Sequence, residues 1–517
     1  MDAGLGKAAI DERLESFLLV LCVSLTVATL PRLFGWFPRI PYTLMLVIAG
    51  LGLALIDVRL VDLSPELILS IFLPPLLFEA AWNLKWSTLK QELTPIILYA
   101  LFGVGVSIAG ITWGLTHFTN FSLEAALLVG ACLAATDPVS VVALFRELGV
   151  DKQLSAVMEG ESLFNDGMAV VAFSVLLGLA MGKAELAVLP VVSQLVMVLG
   201  VGLGMGFLIG FAISYLTQRF DLPLVEQSLT LVAAYGAYLL AEKLGGSGVI
   251  ATVTTGLILG NFGSRIGMNP RTRVIVSEFW EFLSFFVNSI VFLLIGDQVR
   301  FIELGENWQA IALTILAMMI SRAVFIYGLG WLSNRFANSN LTVPEQTVLW
   351  WGGLRGSVSI ALALSVPAVL PIRSEVISVV FGAVLFTLLA QGLLIQPLLN
   401  QLNLLGDQPM REQYLEAIAR QAALDRVLEH LQSIQSRSKL DLEFLAYQTS
   451  LVQGELAAYQ TKIETLQIEH PNLKTFAQEQ LQEELRAIEA ETYAEFVQLG
   501  RLNRELSPLL SEGFTQN

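Results

Sequence analysis

The sequence predicts an all-α polytopic membrane protein. It has thirteen transmembrane helices, arranged as two inverted six-helix repeats about a joining helix, and a helical cytoplasmic tail. Three observations predict it. First, 55% of the 517 residues are hydrophobic and only 15% charged, with mean hydropathy +0.66, a balance that soluble domains rarely reach. Second, apolar runs near the ~20 residues needed to cross a bilayer recur thirteen times before residue 403 and not after it. Third, the loop charges are asymmetric. With the tail in the cytoplasm and the N-terminus outside, the inner loops hold Arg32, Arg39, Lys85, Lys90, Arg146, Lys152, Arg219, Arg265, Arg271, Arg273 and Arg335. The outer loops hold only Arg59, Lys183, Lys243, Arg300 and Arg373. Eleven against five obeys the positive-inside rule and fixes the orientation.

The runs are 14–31, 39–56, 65–84, 92–118, 122–148, 154–181, 187–218, 224–245, 247–263, 277–299, 307–336, 345–367 and 375–402. An odd count suits two repeats of opposite orientation, spans one to six matching eight to thirteen, with span seven between. In transporters of this construction the site lies where equivalent helices of the two repeats are interrupted at mid-membrane. The fifth slot of each repeat fits. Span five contains AATDPVSVV, in which Pro138 interrupts a helical run; span twelve contains WWGGLRGSVSI, in which Gly352, Gly353 and Gly356 surround Arg355.

Residues 403–517 hold 18 acidic and 10 basic side chains. Their apolar residues fall at helical spacing, with Leu415, Ile418, Ala422 and Leu428 in one stripe and Leu473, Phe476, Leu485 and Ile488 in another; Pro471 punctuates them. Two or three amphipathic helices follow, as an appendage that packs on itself or as a surface for a regulator. The chain carries a formal charge of −15, which argues against a nucleic-acid partner and provides no polybasic membrane patch. Cys22 and Cys132 both lie in apolar runs and read as buried thiols without a metal or redox motif. The start, MDAGLGKAAIDERLE, lacks a basic n-region, so the first run reads as a retained helix.

A charged side chain at mid-bilayer costs ~2.5–3.5 kcal/mol on insertion scales, so each needs a partner or a function. The mid-span charges are Glu79 in FLPPLLFEAAW, Asp137 in ATDPVS, Glu161 and Asp166 in GESLFND, Arg322 in MISRAVFIY and Arg355 in GGLRGSV. Four acids meet two bases. If all converge, the surplus suits a mobile cation or a proton. At about 100° per residue, Glu161, Ser162, Asn165 and Asp166 share an arc of roughly 140° on one helix face. Hydroxyl, amide and carboxylate oxygens are hard ligands, suited to Na+-like ions. The histidines, His117, His430 and His470, lie outside these motifs, so neither zinc nor haem is expected, nor any other cofactor.

Such a site implies a mechanism. A carboxyl in a partly desolvated cavity resists charging, and a cation on the same oxygens favours it. One acid, assigned here to Asp166, can hold a proton or a cation in turn. Joined to alternating access, that competition exchanges one for the other. Asp137 and Arg355 can neutralise broken-helix ends, and Asp137 can equally contact the ion.

FLPPLLFEA, ATDPVSVVALFRELG, GESLFNDGMAVV and WGGLRGSVSIALAL, in this order, resemble the monovalent cation:proton antiporters of the NhaP and eukaryotic sodium–proton exchanger type, over roughly residues 14–402. The resemblance implies a homodimer in the cell membrane that regulates intracellular pH and sodium. Spans four to six and eleven to thirteen would form a core moving elevator-fashion against a dimer scaffold made by the rest. Spans five and twelve would cross while unwound. Asp166 would be the exchanged carboxylate. Ser162, Asp137 and the carbonyl of Thr136 would help to ligate Na+, or Li+, with Asn165 and Glu79 nearby. Glu161 would pair with Arg322, Arg355 being the alternative partner. The Asn165–Asp166 pair resembles members that exchange one Na+ for one H+ electroneutrally, since Asn cannot titrate. K+ in place of Na+ is the runner-up within the family. An intramembrane protease is disfavoured because Ser162 has no histidine in the membrane, and a channel because a titratable ligand between broken repeats suits exchange.

Overall fold

The computed structural model describes residues 18–30, 41–55, 64–182, 188–218, 222–264, 268–336, 341–404, 408–435 and 442–469, together with single positions between 473 and 492. Arg32, Arg39, Arg59, Lys183, Arg219, Arg265, His470, Pro471 and Phe476 lie outside the described residues, as do the side chains of Arg146, Lys152 and Arg271. The chain divides into two compact units, 1–404 and 405–517.

The described residues of the first unit are all-helical, without strands. Seven helices are long and apolar enough to cross a membrane. They are α5 (Leu93–Phe118), α8 (Lys152–Ala180), α9 (Val188–Thr217), α10 (Pro223–Lys243), α12 (Pro270–Asp297), α14 (Trp308–Phe336) and α17 (Arg373–Gln401). Shorter apolar helices are α1 (Leu18–Leu30), α2 (Tyr42–Leu55), α3 (Leu67–Asn83), α6 (Leu123–Cys132) and α11 (Gly248–Gly263). Between these lie α4 (Trp86–Gln91), α7 (Val139–Leu148), α13 (Phe301–Glu306), α15 (Val343–Trp351) and α16 (Ser357–Leu364). The apolar runs 122–148 and 345–367 are thus each divided, into α6 and α7 and into α15 and α16.

The helices pack in two groups. In one, α5 packs on α6, α8 and α14, and α17 closes on α6, α14 and α16. In the other, α12 packs on α2 and α3, and α11 on α3, α9 and α10. Local sequence sets many of the helix ends. Ser122 accepts the Ala125 N–H at the start of α6, Asp151 accepts the Gln153 N–H before α8, and Thr342 and Glu345 cap α15 reciprocally, satisfying donors a first turn leaves unpaired. In α3 the pair Pro74–Pro75 removes two N–H donors, and the preceding turn, 67–72, widens to a π-type turn. The Ile71 carbonyl, whose normal helical donor would be residue 75, instead accepts the Tyr235 hydroxyl at 2.8 Å.

One cysteine departs from expectation. Cys132 is fully buried, but Cys22 is exposed. Helix α1 buries one stripe only, through Val20, Ser24 and Ala28, and Cys22 falls on the opposite face.

In the second unit α18 (Gln408–Gln435) and α19 (Leu442–Glu469) pack antiparallel. Gln467 donates to the Tyr414 hydroxyl at 2.7 Å and Arg420 to the Tyr459 hydroxyl at 3.1 Å. The buried face is Tyr414, Ala417 and Ile418 against Ile463 and Leu466, and Ala422 is exposed. Of the expected stripe, Leu415, Ile418 and Leu428 are half-buried, and Tyr414 and Ala417 are the fully buried positions beside it. Of the further stripe, Leu473 is buried, whereas Leu485 and Ile488 are 42% and 54% exposed. Apolar spacing alone does not say which face finds a neighbour.

Candidate functional site

The site begins with two interrupted helices. Helix α6 ends at Cys132 and α7 starts at Val139, after Pro138; α15 ends at Trp351 and α16 starts at Ser357, after three glycines. The intervening stretches cross, with the Asp137 N–H donating to the Leu354 carbonyl at 2.8 Å. Four helix ends therefore meet inside the protein, each with backbone groups that its own helix cannot satisfy and a partial charge of about half a unit.

Fixed charges answer those ends. Arg355 donates through Nη1 to the carbonyls of Ala134 and Ala135, both at 2.8 Å, beyond the C-terminus of α6. Arg322, on α14, donates to the Leu349 and Trp350 carbonyls at 2.8 and 3.1 Å, at the C-terminus of α15. Asp137 Oδ1 accepts the Val139 N–H at 3.1 Å at the start of α7, and the Ser357 N–H at the start of α16 also donates to this carboxylate. Each positive charge sits at a C-terminus, and the negative one joins two N-termini.

Close approach at the crossing depends on two glycines. A Cβ on Gly353 would lie 2.1 Å from Arg322 Nε, and one on Gly356 would lie 2.0 Å from Asp137 Oδ2. Gly356→Ala is therefore expected to displace Asp137 and cut transport at least tenfold, at a stability cost of ~1–3 kcal/mol. Gly178→Ala, where a Cβ meets nothing within 4 Å, is the control. Wild-type rates for Gly356→Ala would show that Asp137 need not hold its place.

The polar face of α8 is wholly buried: Glu161, Ser162, Asn165 and Asp166 are 1%, 3%, 3% and 7% exposed. Glu161 and Arg322 form a two-pronged pair at 2.9 and 3.1 Å. The Ser162 hydroxyl donates to the Thr136 carbonyl at 2.5 Å. Asn165 clamps the same residue, its Oδ1 accepting the Thr136 N–H at 3.2 Å and its Nδ2 donating to the Thr136 hydroxyl at 2.7 Å. Asp166 differs from them, because its Oδ1 is buried without a hydrogen-bond partner.

A cavity of about 70 Å³ lies beside Asp166, room for a few waters or a partly hydrated cation. Asp166, Asp137, Ser162 and Thr136 line it together. Asn165 lies behind this lining, on Thr136. Glu161, Arg322 and Arg355 are also outside it. Glu79, on α3, is half-buried, accepts from Asn83 Nδ2 and is not among the lining residues. Around the crossing, with Glu159 included, four acids accompany two bases. The lining also contains Glu159, Asn288, Ser357 and Ser359, which the sequence reading did not single out. Glu159 was detectable, being seven residues before Asp166 and so on the same helix face. Asn288 was legible only as an amide inside the apolar run FFVNSIVF.

Two broken helices crossing beside an unpaired buried carboxylate define, as a class, a membrane transporter of small ions. Residues 20–401 match the family described as sodium/hydrogen exchanger, transmembrane, and the chain belongs to that family. It is a transporter, not an enzyme. The Na(+)/H(+) antiporter ApNhaP of Aphanothece halophytica is 58% identical over 513 residues, 99% of this chain and 98% of that protein. The low-affinity Na(+)/H(+) antiporter NhaS1 of Synechocystis sp. is 52% identical over 515 residues, again 99% and 98%. The solved sodium proton antiporter MjNhaP1 of Methanocaldococcus jannaschii at pH 8 superposes with a TM-score of 0.62 at 20% identity, covering 77% of this chain and all of that one. That likeness shows a shared fold.

Proposed function

We propose that this protein exchanges Na+, and Li+ at the same site, for H+ across the cell membrane, one cation per proton, and so regulates intracellular pH and sodium. The observation that carries the reading is Asp166, whose Oδ1 is buried and unpartnered and which lines a cavity together with Ser162, Thr136 and Asp137. A proton or a cation can satisfy that oxygen, but not both at once. Ser162 already spends its hydroxyl proton on the Thr136 carbonyl, which leaves its lone pairs for a cation. Asn165 holds Thr136 in place and carries no proton to exchange, which supports the one-for-one ratio. Names of relatives 52–58% identical along almost the whole chain support the choice of ions.

The architecture we infer for this function has thirteen spans in two inverted repeats, with the N-terminus outside and the tail in the cytoplasm. The group around α5, α6, α8 and α14 moves as an elevator against the group around α2, α3, α9 and α12 in a homodimer. The separate packing of the two groups supports that division. The test uses membrane vesicles holding a pH gradient. Added Na+ or Li+ collapses the gradient, and clamping the membrane voltage with K+ and an ionophore leaves the equilibrium point unchanged. Collapse by K+ alone would assign the family's other cation. A steep voltage dependence would overturn the one-for-one ratio, and no response to any of the three cations would overturn exchange.

A further inference from the structure

The crossing forms only part of the cavity wall. The rest comes from α3, through Leu73, Leu76, Leu77 and Ala80, and from α12, through Asn288. The α3 contribution is wholly apolar, so Asn288 is the one polar side chain these two helices bring to the lining. It is 2% exposed and its Oδ1 is buried without a hydrogen-bond partner. Its Nδ2 makes one long contact, 3.5 Å to Ser284 Oγ on the preceding turn. A buried amide oxygen left unpaired is costly unless something else fills it. Asp166 Oδ1, on the same cavity, is unpaired as well. Two residues lining one cavity thus each carry a buried oxygen of hard-ligand type without a partner, a demand that one cation could meet.

The two oxygens belong to different packing groups. Asp166 is on α8 with the crossing, whereas α12 packs on α2 and α3. The partly exposed lining residues, Leu76, Ala80, Asp137, Pro138, Val139 and Glu159, and the α8 lining ending at Asp166, place the opening toward the N-terminal end of α8. In the orientation inferred above, that is the cytoplasmic side.

We propose that the Asn288 carboxamide oxygen is a cation ligand belonging to this one state of the transporter. It shares the cation with Asp166 while the cavity faces the cytoplasm, and is left behind when the crossing moves. The inference rests on the exchange reading above and deepens it. A neutral amide attracts a cation but cannot take the competing proton. Asn288 therefore favours the cation over the proton on one face only.

The test is the Na+ dependence of proton flux from each face of the full-length protein, in everted and right-side-out membrane vesicles. Asn288→Leu, similar in volume, is expected to raise the apparent KM for Na+ about tenfold at the cytoplasmic face, the loss of one ligand contact, and to change it less than about twofold at the outer face. Asn288→Asp keeps an oxygen ligand and serves if the leucine variant does not fold; its cytoplasmic KM stays at or below that of the wild type. A structural role would move both faces together. Equal changes on the two faces, or no change on either, would overturn this inference and leave exchange standing. Wild-type vesicles without Na+-driven proton flux would overturn both.

Discussion

Asp166→Asn is expected to abolish Na+-dependent proton release, lowering the rate at least 100-fold, while the folded protein keeps or gains stability. The substitution preserves shape, so the cavity and the Ser162–Thr136–Asn165 cluster remain. On the exchange reading it removes the carboxylate assigned to bind a proton and a cation in turn, while Asp137 and Glu159 stay on the lining. Its effect on stability has the opposite sign to its effect on transport. The Asp166 Oδ1 has no hydrogen-bond partner, and burying a carboxylate whose oxygens are only partly satisfied is costly; a neutral amide costs less. Paired measurements check this: gradient collapse in vesicles and thermal unfolding in detergent. Full transport by Asp166→Asn would remove this residue from the centre of the mechanism.

Breaking the pair between Glu161 and Arg322 should have the largest effect on stability. Both side chains are at most 3% exposed, and leaving one partner buried alone costs ~3–5 kcal/mol. The two halves are not equivalent. Glu161→Gln leaves Arg322 with its backbone acceptors, Leu349 and Trp350. Arg322→Met strands Glu161 and frees both carbonyls at the end of α15 as well, so it should unfold at the lower temperature. The double variant Glu161→Leu with Arg322→Met removes both charges and should recover part of the loss, though not the helix-end contacts. Melting curves of the three proteins decide. Equal, small shifts would mean that the pair is solvated and structurally idle.

The sequence was most readable where the membrane makes polarity expensive. Each mid-span charge drew attention for that reason, and Pro138 and the glycines around Arg355 marked where helices stop. The GESLFND face was legible from helical periodicity alone. Other features were not, because they depend on partners far along the chain. That Arg355 reaches carbonyls 220 and 221 residues away, while Arg322 takes Glu161, is a matter of three-dimensional arrangement; only the family resemblance ranked these pairings. Glu79 looks as costly as Asp137 in sequence, yet it sits with Asn83 off the cavity. Asn288 was missed for the opposite reason. An amide is cheap enough to escape a search for charges, but expensive enough, once buried and unpaired, to need an account. In the tail, alternation of apolar and charged residues foretold helices, but which face is covered depends on where α19 lands on α18.

The charges that cap the broken helices also bear on leakage. Glu161 cancels Arg322, and Asp137 with Arg355 makes a second balanced set, so apart from Asp166 the charges at the broken helix ends sum to zero; Glu159, half-buried on the cavity lining, stands outside that sum. In the exchange proposed above, a proton or a sodium ion on Asp166 would leave these groups without net charge, so that they could pass apolar neighbours such as Leu73, Leu76 and Leu77 cheaply. Empty, they carry one bare negative charge, whose desolvation costs several kcal/mol. On that reading the unloaded carrier is held on whichever side it was emptied. Slippage, in which one ion gradient would drain without driving the other, is opposed by electrostatics alone, without any gate to close.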